Sequence, residues 1–374
     1  MRSLHIVERH SVSGFAATPA LAFVLLSLGC EASRAPGSFL SVNLFPDAGG
    51  ERTVRAADYE TLWTYGPGDT VLASAVALDA FSNGDAAVLD GRSQRVHRIG
   101  PGGVVWSWGR TGQGPGELRN VRAMAVNDRE EVVLADSGNR RLLWISGSGS
   151  LLRETPLPAP GQGASGTVNG IVPLADGGYI LDSMAPEPWL RVSEAGEPVA
   201  VVSSPWEPLG DMHPLQRYGN VTRAHGNLWV FGFALGNGFF LFDDRSSRGA
   251  YPYIEHSDFP AVVVTRRPNG NVRLSYPVRP TPAAQDLAVR ADTLLVLVNN
   301  RALDRYDLTT GSYVETTVLP RPVHRVAVSG DGLLVIEADE LFPTVASVRR
   351  RAAPWQSPSP PFPTTAPLRP AHRH

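Results

Sequence analysis

Four acidic residues could form a metal site. Asp90, Asp136 and Asp182 are spaced by 46 residues, each directly after two apolar residues, and Glu337 ends a similar apolar run later in the chain. Carboxylate oxygens are the ligands that Ca²⁺ prefers, so these side chains would bind it if the fold gathered them. The alternative is that each carboxylate accepts hydrogen bonds from the turn that follows it. We favour this alternative, because the aspartates belong to the repeat and the acidic ring is broken twice, by Gly232 in one unit and by Val298 or Asn299 in another.

The common sequence signatures of catalysis are absent. The chain has no G-x-S-x-G, G-x-x-x-x-G-K or H-E-x-x-H motif. The glycine-rich stretch 109–116 precedes a predicted strand, so it lacks the helix N-terminus that would hold a phosphate. Histidines such as His97 and His324 occur singly and are expected to be structural. The sequence therefore predicts no catalytic residue and no cofactor, with Ca²⁺ as the open alternative.

The stretch from 109 to 149 predicts a β-structural repeat. It contains a glycine-rich turn, an apolar strand, a short turn, a second strand ending at Asp136, a polar loop and a third strand. This order is similar to the NHL repeat, and the matching positions are Gly109, Gly112, Gly114, Gly116, Leu118, Asp136, Asn139, Arg141 and Leu142. The resemblance implies a blade of a β-propeller. It implies no activity, because function depends on the site that a fold carries.

The unit recurs along the chain. The 46-residue period gives three copies, and short apolar runs bounded by turn residues mark weaker units at 227–242, 287–306 and 323–348. We therefore predict an all-β, six-bladed β-propeller of four-stranded antiparallel blades, with five or seven blades as alternatives. Residues 62–68 resemble the outer strand of a unit but have no inner strands before them. We predict that they complete the last unit and close the ring, which removes an open sheet edge.

The loops after the second strand of each unit should gather on one face of the ring. Loops on a rigid scaffold commonly carry binding residues. This loop face is therefore the predicted binding surface for a protein, a peptide or a glycan. Its candidate residues are Arg92, Asn139, Arg140, Glu187, Asn237, Asn300 and Arg301. The alternative for each is an ordinary solvated side chain.

The charge of the chain argues against some partners. The 34 basic residues are all arginine, and the formal net charge is -2. No global positive field would attract nucleic acid or an anionic membrane. The run Arg349–Arg351 is predicted to be a solvated flank of the last strand.

The single cysteine, Cys30, follows a basic start and an apolar segment of small and aliphatic residues. This pattern is similar to a bacterial lipoprotein signal, in which the cysteine becomes acylated. An ordinary export signal or an N-terminal membrane helix is the alternative. We predict a signal peptide at 1–29, a flexible tether at 30–52, the propeller at 53–351 and a proline-rich disordered tail at 352–374. The expected location is the cell envelope, at the outer membrane or the periplasmic face.

Two functions are compatible with these patterns. The first is a monomeric, noncatalytic binding scaffold that is held at a membrane by its lipid and uses its loop face. The second is a metal-dependent hydrolase or lyase with a site in the central funnel. We favour the first, since the aspartates are explained by the repeat itself.

Overall fold

The computed structural model describes residues 49–66, 72–158, 166–183, 188–202, 217–255, 263–266, 272–276, 280–338 and 342–351. The predicted signal peptide, most of the tether and the proline-rich tail lie outside these residues. The described part contains strands and turns and no helix. It therefore holds no helix long and apolar enough to cross a membrane.

The strands form six blades, which confirms the predicted fold. Two strands, β1 (Val54–Arg55) and β2 (Tyr59–Tyr65), precede the first blade. Blade 1 contains β3 (Ala75–Ala80), β4 (Ala86–Asp90), β5 (Arg95–Gly100) and β6 (Gly103–Trp108), and blade 2 contains β7 (Val121–Val126), β8 (Val132–Asp136), β9 (Arg141–Ile145) and β10 (Leu151–Pro156). Blade 3 contains β11 (Val168–Pro173), β12 (Tyr179–Ser183), β13 (Trp189–Val192) and β14 (Pro198–Val201), and blade 4 contains β15 (Gly219–Arg223), β16 (Trp229–Phe233), β17 (Gly238–Phe242) and β18 (Ser247–Pro252).

A separate hairpin, β19 (Val263–Arg266) and β20 (Val272–Ser275), follows blade 4. Blade 5 contains β21 (Asp286–Arg290), β22 (Thr293–Val298), β23 (Ala302–Asp307) and β24 (Tyr313–Val318). Blade 6 contains β25 (Val323–Ser329), β26 (Gly332–Glu337) and β27 (Thr344–Arg350), with β2 as its outer strand. Blades 1 to 4 are thus meanders of four antiparallel strands, and blades 5 and 6 each contain four antiparallel strands in the same spatial order.

The ring closes as the sequence predicts, with an N-terminal strand as the outer strand of the last blade. Strand β2 pairs antiparallel with β27, so that Tyr59 lies opposite Arg350 and Tyr65 lies opposite Val345. The innermost strands β3, β7, β11, β15, β21 and β25 each contact the next one around the ring, and β25 contacts β3 again. The sheet edges of the first and last blades are therefore joined within one chain.

The core is divided among the blade interfaces. Six hydrophobic clusters are present in the described residues, and each combines side chains of two neighbouring blades. The second strand of a blade has partners on both edges and neighbours on both faces, and all five residues of β8 and of β16 are buried. The outer strand β14 is exposed along its length. This gradient explains why second strands are continuous apolar runs in the sequence.

The structure adds two features that the sequence did not predict. Strand β1 pairs parallel with β24, which makes blade 5 five-stranded. The hairpin of β19 and β20 lies outside the six blades. The basic run is also not a solvated flank, because Arg349 and Arg350 belong to β27 and pair with Glu60 and Glu315.

Candidate functional site

The aspartates of the repeat accept hydrogen bonds from their own turns. The Asp90 carboxylate accepts from the backbone N–H groups of Ala73, Arg92 and Ser93 at 2.7, 2.8 and 3.2 Å. The Asp136 carboxylate accepts from the Arg119 N–H at 2.9 Å and from the side chains of Asn139 and Arg141. Both side chains are fully buried. Their oxygens are thus occupied by groups of the same blade or the preceding loop.

The other two predicted acidic residues are also held within their own blades. Asp182 lies opposite Trp189 in the strand register, and burial raises the pKa of this carboxyl to about 8, against a smaller opposing effect of the Trp189 indole. Glu337 pairs with Arg321 at 3.0 Å. Among the described residues no three His, Cys, Asp or Glu side chains are grouped as a metal site would require. The structure therefore does not gather Asp90, Asp136, Asp182 and Glu337 around one point.

The predicted loop-face residues have different surroundings. Asn139 donates to the Gly112 carbonyl and to Asp136, and Asn300 exchanges hydrogen bonds with the Gln285 amide. Arg301 donates to the carbonyls of Leu319 and Pro320, Arg140 is exposed with one long contact to the Pro158 carbonyl, and Asn237 is buried. Glu187 lies outside the described residues. Of the six that are described, only Arg92 lines the central cavity.

The glycine-rich turn 109–116 is organised by Glu117. Its carboxylate accepts from the backbone N–H groups of Gln113 and Gly114 at 2.9 and 2.8 Å and from the Arg110 guanidinium at 3.0 Å. These hydrogen bonds lower the pKa of the Glu117 carboxyl. The turn therefore binds a carboxylate of its own chain, which explains the motif without a phosphate.

A cavity of about 1120 Å³ occupies the centre of the ring and is lined by the innermost strands of all six blades. We call the end at which these strands begin the upper end, and the end at which they finish the lower end. The lining is mixed, with alanine and valine side chains between aspartate, asparagine and arginine side chains. Known small-ligand pockets have about this volume or less.

Asp79 and Arg223 lie towards the lower end. The Asp79 carboxylate on β3 accepts from the Val126 N–H on β7 at 2.7 Å and from the Ala80 N–H at 2.8 Å. Burial raises the pKa of the Asp79 carboxyl to about 6, against the opposing effect of these N–H groups and of Arg223. Arg223 donates both ends of its guanidinium to Asp128, at 2.5 and 2.7 Å, and so joins blade 4 to blade 2. This ion pair crosses the lower end past blade 3.

Asp286 and Arg325 lie nearer the upper end. The Asp286 carboxylate on β21 accepts from the Val326 N–H on β25 at 2.8 Å, and burial raises the pKa of this carboxyl. Arg325 donates to the carbonyls of Val76 and Gln285, at 2.9 and 3.2 Å. Its guanidinium is therefore fixed between blades 5, 6 and 1.

The upper end also holds residues at a recurring irregularity. The innermost strands of blades 1, 2, 3 and 6 each have a register shift near their start, which leaves Val76, Arg122, Asn169 and His324 without a cross-strand partner. Such bulges redirect side chains and occur often beside functional sites. Val76, Arg122 and Asn169 line the cavity, whereas His324 contacts the Ala75 carbonyl. The sequence analysis did not identify Arg122, Asn169, Asp79, Asp286, Arg223 or Arg325.

No protein-family model and no curated protein sequence matches this chain. Among solved structures, a Bacteroides fragilis protein provisionally described as exported has a TM-score of 0.51 at 11% identity, covering 80% of this chain and 99% of that chain. Virginiamycin B lyase from Staphylococcus aureus has a TM-score of 0.47 at 14% identity, covering 76% and 83%. The WD40 domain of Neurospora crassa Pan2 has a TM-score of 0.48 at 12% identity, covering 80% and 97%. At these identities a likeness shows no more than the fold, and the described structure itself is a six-bladed β-propeller with a central cavity of mixed polar and apolar lining.

Proposed function

We propose that this protein is a noncatalytic binding propeller of the bacterial cell envelope, and that its ligand enters the upper end of the central cavity. The ligand is a peptide segment or a glycan group small enough to fit there, or the tip of a larger protein. This proposal moves the binding site inward from the loop face that the sequence predicts. Arg92 belongs to both.

The observation that carries the proposal is the contrast between the two ends of the cavity. At the lower end the Arg223–Asp128 ion pair spans blades 2 to 4, so its charged groups are already paired. At the upper end Tyr218 is 40% exposed, and the Asn169 amide makes no hydrogen bond within the described residues. Polar groups with free donors and acceptors inside a rigid concave surface are typical of ligand sites.

The envelope location rests on the N-terminal sequence. Acylation of Cys30 would anchor the chain, and residues 31 to 48 would connect the lipid to the propeller. The described residues begin at the outer edge of blade 5, where β1 pairs with β24. Replacing Cys30 by serine should release the protein from the membrane fraction. Unchanged retention of this variant would contradict the lipid anchor.

The binding function is tested with the purified chain, from residue 31 onward, on peptide and glycan arrays. A channel-blocking variant, Asn169→Trp, should lose the array signals that the wild type gives. The matched control is Arg110→Gln, which alters an exposed arginine of the glycine-rich turn, away from the cavity. An absence of any wild-type signal, or signals that survive Asn169→Trp, would overturn the proposal. Thermal unfolding of each variant shows whether it is folded.

A further inference from the structure

Two arginines at the upper end of the cavity have no acidic partner within the described residues. Arg92, in the loop after β4, and Arg122, on β7, both line the cavity and are both exposed. Neither guanidinium forms a hydrogen bond or an ion pair within that part of the chain. This distinguishes them from Arg223, which is held by Asp128, and from Arg325, which is held by backbone carbonyls. Within the described residues, their positive charge at this mouth of the ring is thus unpaired.

The backbone that carries these two arginines is rigid and shared. Asp90 accepts from the N–H groups of Arg92 and Ser93, which fixes the turn after β4. The Gln94 amide of the same turn accepts from the Val121 N–H at 2.8 Å and donates to the Gly91 carbonyl at 2.7 Å. The loop of blade 1 is therefore bonded to the residue directly before Arg122. The backbone of both arginines is thus fixed on neighbouring blades, so binding a ligand costs little further ordering of the backbone.

A neutral donor lies beside them. Asn169 occupies in blade 3 the same bulged position that Arg122 occupies in blade 2, and strands β7 and β11 are in contact. The two blades are also linked here by a hydrogen bond from the Asn120 amide to the Thr167 hydroxyl, at 3.0 Å. Asn169 is half-buried and supplies an N–H₂ group to the same mouth. Three side chains from three successive blades therefore present donors to one region.

We propose that Arg92, Arg122 and Asn169 form an oxyanion site, which binds a carboxylate or phosphate group of the ligand. The planar guanidinium matches the geometry of both groups and binds them through two parallel hydrogen bonds. The inference deepens the proposed function, on which it rests, by naming the chemical group that the upper end recognises. The remainder of the ligand occupies the central cavity below this mouth.

The test is calorimetric titration of the purified chain with three probes: glucuronate, glucose and inorganic phosphate. Glucuronate or phosphate should bind, glucose should not, and binding should weaken with added salt because the site is charged. Arg92→Gln and Arg122→Gln should each weaken anion binding about 10-fold or more, since each removes charge-assisted hydrogen bonds. Binding of glucuronate alone would assign the group to a carboxylate, and binding of phosphate alone would assign it to a phosphate.

The control variant is Arg119→Gln, an exposed arginine of the same loop region that does not line the cavity. It should bind the anions as the wild type does. The inference is wrong if neither anion binds, or if Arg119→Gln weakens binding as much as Arg122→Gln. A neutral array ligand that is lost in Asn169→Trp but unaffected by Arg92→Gln and Arg122→Gln would leave the binding function intact and remove only the oxyanion site.

Discussion

The Asp79 carboxylate of blade 1 accepts a 2.7 Å hydrogen bond from the Val126 N–H of blade 2. Asp286 of blade 5 makes the same contact with Val326 of blade 6, at 2.8 Å. The innermost strands of two blades can be aligned by their pairing with the second strand of each blade. In this alignment the residue that donates the N–H group lies one position further along its strand than the aspartate, in both pairs. The innermost strands of adjacent blades are thus joined by side chains where no ladder of backbone hydrogen bonds exists. Because both carboxyls have raised pKa values, these links depend on pH.

Replacing Asp79 by asparagine should change the pH dependence of stability. The pKa of this carboxyl is about 6 in the folded protein, against an ordinary value of 3.8, so the folded state binds more protons between these values. The free energy of unfolding therefore falls as pH rises from about 4 to about 6, by roughly 2 kcal/mol. Asp79→Asn, which keeps an oxygen acceptor for Val126, should flatten this part of the curve. Denaturant unfolding at pH 4.5, 5.5 and 7 measures it, and an unchanged slope would exclude Asp79 as its source.

Asparagine at Asp182 and at Asp90 should have opposite consequences at pH 7. Burial raises the pKa of Asp182 from an ordinary 3.8 to about 8, so at pH 7 the folded wild type must hold a proton that the unfolded chain has lost, and Asp182→Asn, which needs no proton, should be more stable than the wild type there. The advantage of this variant should grow from about pH 4 to about pH 8 and stay constant above pH 8, where the carboxyl of the wild type is ionised in both the folded and the unfolded state. Asp90→Asn replaces one of the two carboxylate oxygens by an N–H₂ group, which then faces either the Ala73 N–H or the Arg92 and Ser93 N–H groups, and should cost about 1–3 kcal/mol. Thermal unfolding at pH 4.5 and pH 7 compares each variant with the wild type, and equal losses in the two variants at pH 7 would contradict this account.

The segment before β2 should be held on blade 5 by Arg52. Its guanidinium donates to Asp304, with contacts of 2.9 to 3.1 Å, and Asp304 is 1% exposed and also accepts from Thr316. Arg52→Gln leaves that buried carboxylate largely unpaired, so we expect a loss of about 3 kcal/mol. Arg55→Gln is the control, because the Arg55 side chain is 67% exposed and such pairs contribute about 0–1 kcal/mol. Hydrogen exchange over residues 49–55 should accelerate in Arg52→Gln alone. Equal exchange in the two variants would show that the pairing of β1 with β24 holds this segment without Arg52.

Alanine at Gly149 should destabilise more than alanine at Gly116. Both glycines have left-handed backbones, with φ of 88° and 71°, so both changes carry a strain of about 1–2 kcal/mol. A Cβ at Gly149 would lie 2.9 Å from Cγ of Trp106, whereas a Cβ at Gly116 meets no atom within 4 Å. The difference between the two melting temperatures isolates the steric effect. Equal shifts would mean that the Trp106 ring moves aside without cost.

The fold was predictable because its strongest signals are local and repeated. Second strands such as β8 are buried on both faces, so they appear as short apolar runs, and the aspartate that ends them serves the following turn. The fifth strand of blade 5 was missed because β1 has only two residues. Its partner strand β24 is also distant in the sequence, since 260 residues separate Thr53 from Tyr313, which it contacts. The hairpin of β19 and β20 interrupts the period and has no counterpart in the other described units.

The cavity residues could not be found in the same way. Asp79 and Asp286 occur inside ordinary strand sequences, and only the ring brings them to one channel. Arg122 follows Val121 as an exposed residue of an alternating strand would, and the bulge that turns it inward leaves no mark on the sequence. Arg92 was identified as a loop residue, but its partner Arg122 comes from another blade.

The pairing of β2 with β27 also imposes an order on folding. Glu60 and Arg349, which form an ion pair across these strands, are 289 residues apart. During synthesis β2 is made first, and its partner strand β27 is made only after nearly the whole propeller. Blades 1 to 5 can form earlier, because most of their strands pair with strands that are close in the sequence. Blade 6 is thus the last to be completed, and the chain holds an unpaired strand until then. The ring can therefore close only after synthesis has reached β27, so its closure is a late and long-range step of folding.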